Sequence, residues 1–173
     1  IIGFKKIIPS LSNEQVQTEI IPMILQIAEN PMFQTKVSSC YLIRVVYPKA
    51  GNHKDKLREL YFKLCDDDTP IIKRTAAKEF GQFCLVLEKE IVHSEMVTYY
   101  KKFMTESDSV RVTILPSLVQ LVKLFQNSES QKTTIQFVVA ASEDKSWRVR
   151  KKKKKIFPEI IQSFGNQVNE LVP

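Results

Sequence analysis

The sequence repeats itself. Glu19 in TEIIPMILQIAEN and Glu170 in NELVP share the pattern E-[IL]-[IV]-P 151 residues apart, a distance that divides into four periods of nearly 38. Between them a basic residue follows a polar loop four times, at Lys36 in NPMFQTK, Arg74 in DDDTPIIKR, Arg111 in ESDSVR and Arg150 in EDKSWRVR, with spacings of 38, 37 and 39. A period of this length is the signature of stacked supersecondary units, none of which can bury its apolar face alone.

Each unit reads as two helices. Apolar residues recur at three- and four-residue spacing, as in Val149, Ile156, Ile160 and Phe164, and only four glycines are present; strand-like alternation is scarce. Each marker is preceded and followed by an apolar segment about one helix long, with a short acidic turn between. Thr69 before Pro70, Ser109 after Asp108 and Ser146 before Trp147 are suited to cap the second helix, with Pro70 suited to its first turn. The expected organisation is a partial unit over 1–18, full units near 19–53, 54–93, 94–130 and 131–168, and the start of another at 169–173, all in one array. The fold class that follows is all-α, a right-handed α-solenoid. Two helices per unit, an Asp-rich turn and Val-Arg after it favour HEAT units; a tetratricopeptide period of about 34 does not fit.

Composition narrows the function classes. With 173 residues and 43% apolar content the chain can bury a core of one domain's size. Its longest apolar runs, such as Phe137 to Ala141, are far short of the roughly 18 residues a membrane span needs. The start IIGFKKII has no initiator methionine and no signal-peptide pattern, so the chain reads as a piece of a longer protein. Cys40, Cys65 and Cys84 are odd in number and widely spaced, as expected of free thiols in a reducing compartment. The 26 basic and 19 acidic side chains leave +7, and Arg148, Arg150 and Lys151 to Lys155 are themselves seven. The basic excess is thus one local event, not the spread of a phosphate-gripping face.

The segments LCDDDTPIIKRTAAKEFGQF, SDSVR and EDKSWRVR, in this order and spacing and together with SSCYLIRVVYPKAG, resemble the HEAT-repeat scaffolding A subunits of protein phosphatase 2A. The resemblance covers essentially the whole chain and implies a place in the amino-terminal half of such a scaffold. It implies no catalysis and no cofactor. It implies that the turns within successive repeats form a ridge that docks regulatory B-type subunits, while the catalytic subunit is held by carboxy-terminal repeats. Carried over, the ridge comprises Asp67, Asp68, Thr69, Pro70, Ile71, Lys73 and Arg74, then Glu106 and Asp108, then Trp147, Arg148 and Arg150. The first turn departs from the family: Met32 and Phe33 stand where it commonly has a Trp-Phe pair. Cytoplasm and nucleus are the compartments implied.

Several residues admit a plainer role. Spacing leaves Trp147 open between packing on an adjacent repeat and partner contact, and the resemblance favours contact. Arg111 is expected to bond a neighbouring turn. Asp66 to Asp68 suit a solvated, capping tip better than a metal. His53 and His93 are expected in loops, with no nucleophile, GxSxG, HExxH or phosphate-cradling glycine loop to suggest an enzyme. Aligned on the marker, the site three residues on is Ser39, Ala77, Ile114 and Lys153, which puts Lys153 on the core face. Five consecutive lysines step around a whole helix, so this segment should be locally weak, with Lys153 snorkelling or the helix starting late near Ile156. Solvated lysines outweigh nuclear import and nucleic-acid binding as the reading of the run. The alternative function is another HEAT or armadillo adaptor, such as a nuclear import receptor, which would carry its determinants on the second helices rather than in the turns.

Overall fold

A computed structural model of the chain describes residues 2–125 and 128–164, the side chains of residues 2, 5 and 128–130 excepted. Among the described residues all regular structure is helical. The expected unit start at 169–173, Glu170 included, lies outside them. The chain divides into two compact units, Ile1–Glu79 and Phe80–Pro173.

In the first unit a short helix α1 (Ile2–Ile7) leads to a capping box. The Ser12 hydroxyl accepts from the Gln15 N–H at 3.1 Å, and the Ser12 N–H donates to Gln15 Oε1 at 2.9 Å. From there α2 (Asn13–Gln15) runs through a π-helical stretch (Val16–Ile20) into α3 (Ile21–Glu29), so Glu19 lies inside the helix. After a tight turn come α4 (Phe33–Val46), two single 3-10 turns, α5 (Lys54–Cys65) and α6 (Pro70–Cys84). Gly51, the first residue of the second 3-10 turn, has φ 53°, where a Cβ would be strained and would also meet the Gln17 side chain at 2.7 Å. Ile21, Ile24, Ile43, Val46, Leu57 and Tyr61 are fully buried, and the Tyr61 hydroxyl donates to the Ala76 carbonyl at 2.8 Å.

The second unit holds the end of α6, then α7 (Lys89–Ile91), a π-helical stretch (Val92–Met96) and α8 (Val97–Phe103). The partner helix is split at Leu115–Pro116 into α9 (Asp108–Ile114) and α10 (Ser117–Leu124), and α11 (Ser128–Ser142) and α12 (Trp147–Phe164) follow. The π-helical stretches start at residues 16 and 92, two periods apart. Phe80, Tyr100 and Phe103 pack edge to face at 6.1 and 5.8 Å, and Phe137 covers Tyr100 at 4.4 Å. A Cβ on Gly81 would lie 2.9 Å from the Ser117 Cα, so α6 and α10 meet where no larger residue fits. His93 is not a loop residue: it lies in the π-helical stretch and stacks on Phe125 at 4.6 Å.

Cys40, Cys65 and Cys84 are free and buried, and desolvation pushes the Cys40 thiol up to about 12. Helix α12 is continuous from Trp147, so the lysine run does not delay it. Val149, Ile156, Ile160 and Phe164 are buried as the periodicity predicts. Lys153, between them, is half-buried with its ammonium 4.0 Å from the centre of the Phe157 ring.

Candidate functional site: the turns within the helix pairs

The turns share one local design. Met32 and Ser107 stand at the N-cap of α4 and α9, and Thr69 and Ser146 directly precede α6 and α12. In three turns an Asx side chain two residues earlier accepts the N–H of that position. Asn30 takes Met32 at 2.9 Å, Asp67 takes Thr69 at 2.8 Å, and Asp144 takes Ser146 at 2.7 Å. These bonds satisfy a donor at the turn and aim the chain into its helix. Ser109 is not the cap of α9: it lies within the helix, its hydroxyl 3.0 Å from that of Ser107, which holds the cap position.

This register corrects the marker. The residue four beyond the cap position is Lys36, Lys73, Arg111 and Arg150, with spacings of 37, 38 and 39. Lys73, half-buried, therefore takes the place assigned to Arg74, which is exposed. Three residues further on stand Ser39, Ala76 and Ile114, each fully buried, and then Lys153. Ala77 is buried too, so the shift of register leaves the conclusion about Lys153 intact.

Two of the marker residues, Lys36 in the first unit and Arg111 in the second, tie neighbouring turns together. Lys36 Nζ donates to Asp67 Oδ2 at 2.8 Å. Arg111 makes a two-pronged pair with Asp144, Nε to Oδ2 at 2.7 Å and Nη2 to Oδ1 at 2.9 Å, while its Nη1 donates to the Glu106 carbonyl. With both side chains under 8% exposed, this is a buried pair, as expected for Arg111. Arg150 Nη1 turns back to the carbonyls of Asp144 and Lys145 at 2.7 and 3.1 Å. Burial raises the pKa of Asp67 and of Asp144, but bonds from Lys36 and Thr69 in one case, and Arg111 and Ser146 in the other, hold both below the ordinary 3.8. Asp67 and Arg150 thus have structural work. Asp144 and Lys36 do the same work, although the sequence does not mark them as site residues.

What remains open to a partner is a set of tips. In the first unit Asp68, Pro70, Ile71 and Arg74 are exposed, beside Met32 and Phe33 of the preceding turn; Thr69 and Lys73 are half-buried. In the second, Trp147 is 61% exposed, which excludes its packing into the helix pairs described, and Lys151 sits over its ring at 5.5 Å. Arg148 is exposed, and its Nη1 lies 3.5 Å from the half-buried Asp108, to which the Ser146 hydroxyl also donates at 3.2 Å. Glu106 is half-buried. The position after the cap is Phe33, Pro70, Asp108 and Trp147. Phe33 therefore occupies the place of Pro70 and Trp147 and belongs with them. The caps, once placed, show this in the sequence. Among the described residues no three His, Cys, Asp or Glu side chains converge on a metal position, and no helix is long and apolar enough to cross a membrane.

No family model matches the sequence. A protein of Caenorhabditis elegans named "Probable serine/threonine-protein phosphatase PP2A regulatory subunit" is 30% identical over 135 residues, 75% of this chain and 22% of its own length. The "Protein phosphatase 2A scaffold subunit" of Dictyostelium discoideum is 33% identical over 96 residues, 55% of this chain and 16% of its own. The "Serine/threonine-protein phosphatase PP2A 65 kDa regulatory subunit" of Drosophila melanogaster is 32% identical over 80 residues, 46% of this chain and 14% of its own. The chain therefore spans less than a quarter of these relatives. Among solved structures, Cex1p superposes with a TM-score of 0.79 at 16% identity, over 99% of this chain and 33% of that one, a likeness of fold alone. The paired helices, the recurring turns and the names of these relatives agree: the chain belongs to the HEAT-repeat scaffold subunits of protein phosphatase 2A.

Proposed function

We propose that the chain is a non-catalytic scaffold segment whose intra-repeat turns dock a regulatory B-type subunit of a phosphatase 2A holoenzyme. The observation that carries this reading is the kind of residue that stands directly after the cap positions in each unit. Phe33, Pro70 with Ile71, and Trp147 stand out of the turns on helix starts that Asx turns and ion pairs hold in place. A rigid turn that presents an aromatic or apolar tip beside Asp and Arg suits a recurring protein interface, in which Trp and Arg are often the costly residues to truncate. Asp68, Arg74, Glu106, Asp108 and Arg148 supply the charges around these tips. The catalytic subunit is held elsewhere in the full-length scaffold.

Lack of catalysis in this segment accords with its chemistry, since the three thiols are buried and the Cys40 thiol is held far from ionisation at neutral pH. The test is a calorimetric titration, run in physiological salt, of the chain with a purified regulatory subunit of phosphatase 2A. Saturable one-to-one binding that tolerates modest added salt supports the reading. No heat from a demonstrably folded chain counts against it and favours an import-type adaptor.

A further inference from the structure

Consecutive helix pairs are joined by different chemistry in the two units. In the first, three side-chain bonds cross the seam from one pair to the next, spread along the whole of α4. At its start Lys36 meets Asp67 at 2.8 Å. In its middle Arg44 Nε donates to Glu79 Oε2 at 3.3 Å, with the Glu79 side chain 10% exposed. Directly after its end the buried Tyr47 hydroxyl accepts from Arg58 Nη1 of α5 at 3.0 Å. Lys36 and Tyr47 are separated by about 16 Å of helix, so the seam is pinned from the turn edge to the edge where one pair passes into the next.

The corresponding seam of the second unit is built otherwise. Arg44 stands eight residues after its marker, and Glu79 six residues after the marker of the following pair. Gly81 and Ser117 hold these two places between α6 and α10, where a Cβ on Gly81 would lie 2.9 Å from the Ser117 Cα, so the two places face each other. Between α10 and α12 they are Val119 and Ile156, both buried and neither with a hydrogen-bonding side chain. The place of Tyr47 falls to Val122, buried as well. From α9 the side-chain bonds across this seam lie at the turn edge, Arg111 with Asp144 and Asp108 with Ser146 and Arg148. Among the described residues no side-chain bond joins α10 to α12. Whereas α4 is uninterrupted, its counterpart is divided at Leu115–Pro116, directly beyond the pinned turn, and Pro116 has no N–H to carry the helical ladder across.

Directional bonds at both ends of a seam resist rotation in every sense. Apolar contact has no preferred direction, so faces joined by it turn on one another more easily. A seam pinned at one edge therefore has one soft motion, a rotation about that edge. We propose that the seam between α10 and α12 is a hinge that pivots on Arg111 and Asp144, while the corresponding seam of the first unit is rigid. The far ends of the two helix pairs then swing apart or together, and the turns that carry Asp108 and Trp147 keep their spacing.

The experiment is pulsed electron paramagnetic resonance on the whole chain, with nitroxide labels on pairs of introduced cysteines. Cys40, Cys65 and Cys84 are buried and do not take the label in the folded chain. Thr18→Cys with Lys56→Cys reports the far edge in the first unit, Ser94→Cys with Lys132→Cys the far edge in the second, and Lys101→Cys with Ala140→Cys the turn edge there; all six positions are exposed. The distance distribution of the 94/132 pair should be at least about twice as wide as that of the 18/56 pair, with the 101/140 pair as narrow as the latter. Tyr47→Phe, Arg44→Leu and Glu79→Leu together leave Lys36 as the one pin among these three, and should widen the 18/56 distribution toward that of 94/132. Replacing both charged partners by apolar groups strands neither, and far-UV circular dichroism checks that the variant folds. The proposal is overturned if the 18/56 and 94/132 distributions are equally wide, if the 101/140 pair is as broad as 94/132, or if the folded triple variant leaves 18/56 unchanged.

Discussion

Arg111, near the start of α9, closes a bidentate ion pair on Asp144, the residue whose other task is to hold the N–H of Ser146. One carboxylate thus shapes its own turn and fastens the preceding one to it. Lys36 and Asp67 repeat the arrangement in the first unit, with a single bond and more solvent: 28% and 12% exposed, against 6% and 7% for the Arg111 pair. The tips that project from these turns are held by this backing.

Removing one partner of a buried pair strands the other. Arg111→Met should therefore destabilise the chain by about 3 kcal/mol, whereas Lys36→Met at the wetter pair should cost no more than about 1 kcal/mol. Urea unfolding of the two variants checks the order, and equal losses would contradict it.

Acid should act through the same carboxylates. Asp67 and Asp144 have folded pKa values below the ordinary 3.8, so their contribution is fully present above that value and is lost as pH falls through the folded values. Stability measured from pH 6 downward should hold to about pH 4 and then drop, and Arg111→Met should flatten part of the drop. An unchanged acid profile in that variant would remove the pair from the account.

Much of this is legible in the sequence, and the failures are instructive. The period and the helix pairs follow from apolar spacing that packing must obey, and Val149, Ile156, Ile160 and Phe164 are buried where the pattern puts them. The marker slips by one at Arg74 because Lys73 and Arg74 are adjacent and both basic; only the Asx bond from Asp67 to Thr69 fixes the register. Ser109 looks like a cap for the same reason, standing two residues beyond Ser107. The place of His93 escapes the sequence because a π-helical stretch leaves no turn signal in composition. Exposure of Trp147 depends on long-range packing, which spacing alone does not decide.

Lys153 should cost stability. It occupies a seam position, desolvation and the neighbouring Lys154 charge lower its pKa, and its contact with the Phe157 ring offsets only part of this. Lys153→Met should raise stability by about 1 kcal/mol, or roughly 2–4 °C in Tm. A fall in Tm would mean that the contact with Phe157 outweighs desolvation.

Gly81 should not tolerate a methyl group. Alanine is the better helix former, yet its Cβ would press on the Ser117 backbone at 2.9 Å. Gly81→Ala should lose about 1–3 kcal/mol through forced separation of α6 and α10. Thermal unfolding decides between this and the gain of about 1 kcal/mol that propensity alone would give.

The central claim is that the tips after the cap positions dock a regulatory subunit, and it is tested most directly by titrating that subunit into the unaltered chain, Trp147→Ala and Pro70→Arg in parallel. Both sites are exposed, so stability should change by no more than about 0.5 kcal/mol. The account predicts saturable binding by the unaltered chain and a loss of about 2 kcal/mol or more in each variant, roughly thirtyfold in Kd. Equal affinity for all three folded proteins would contradict it.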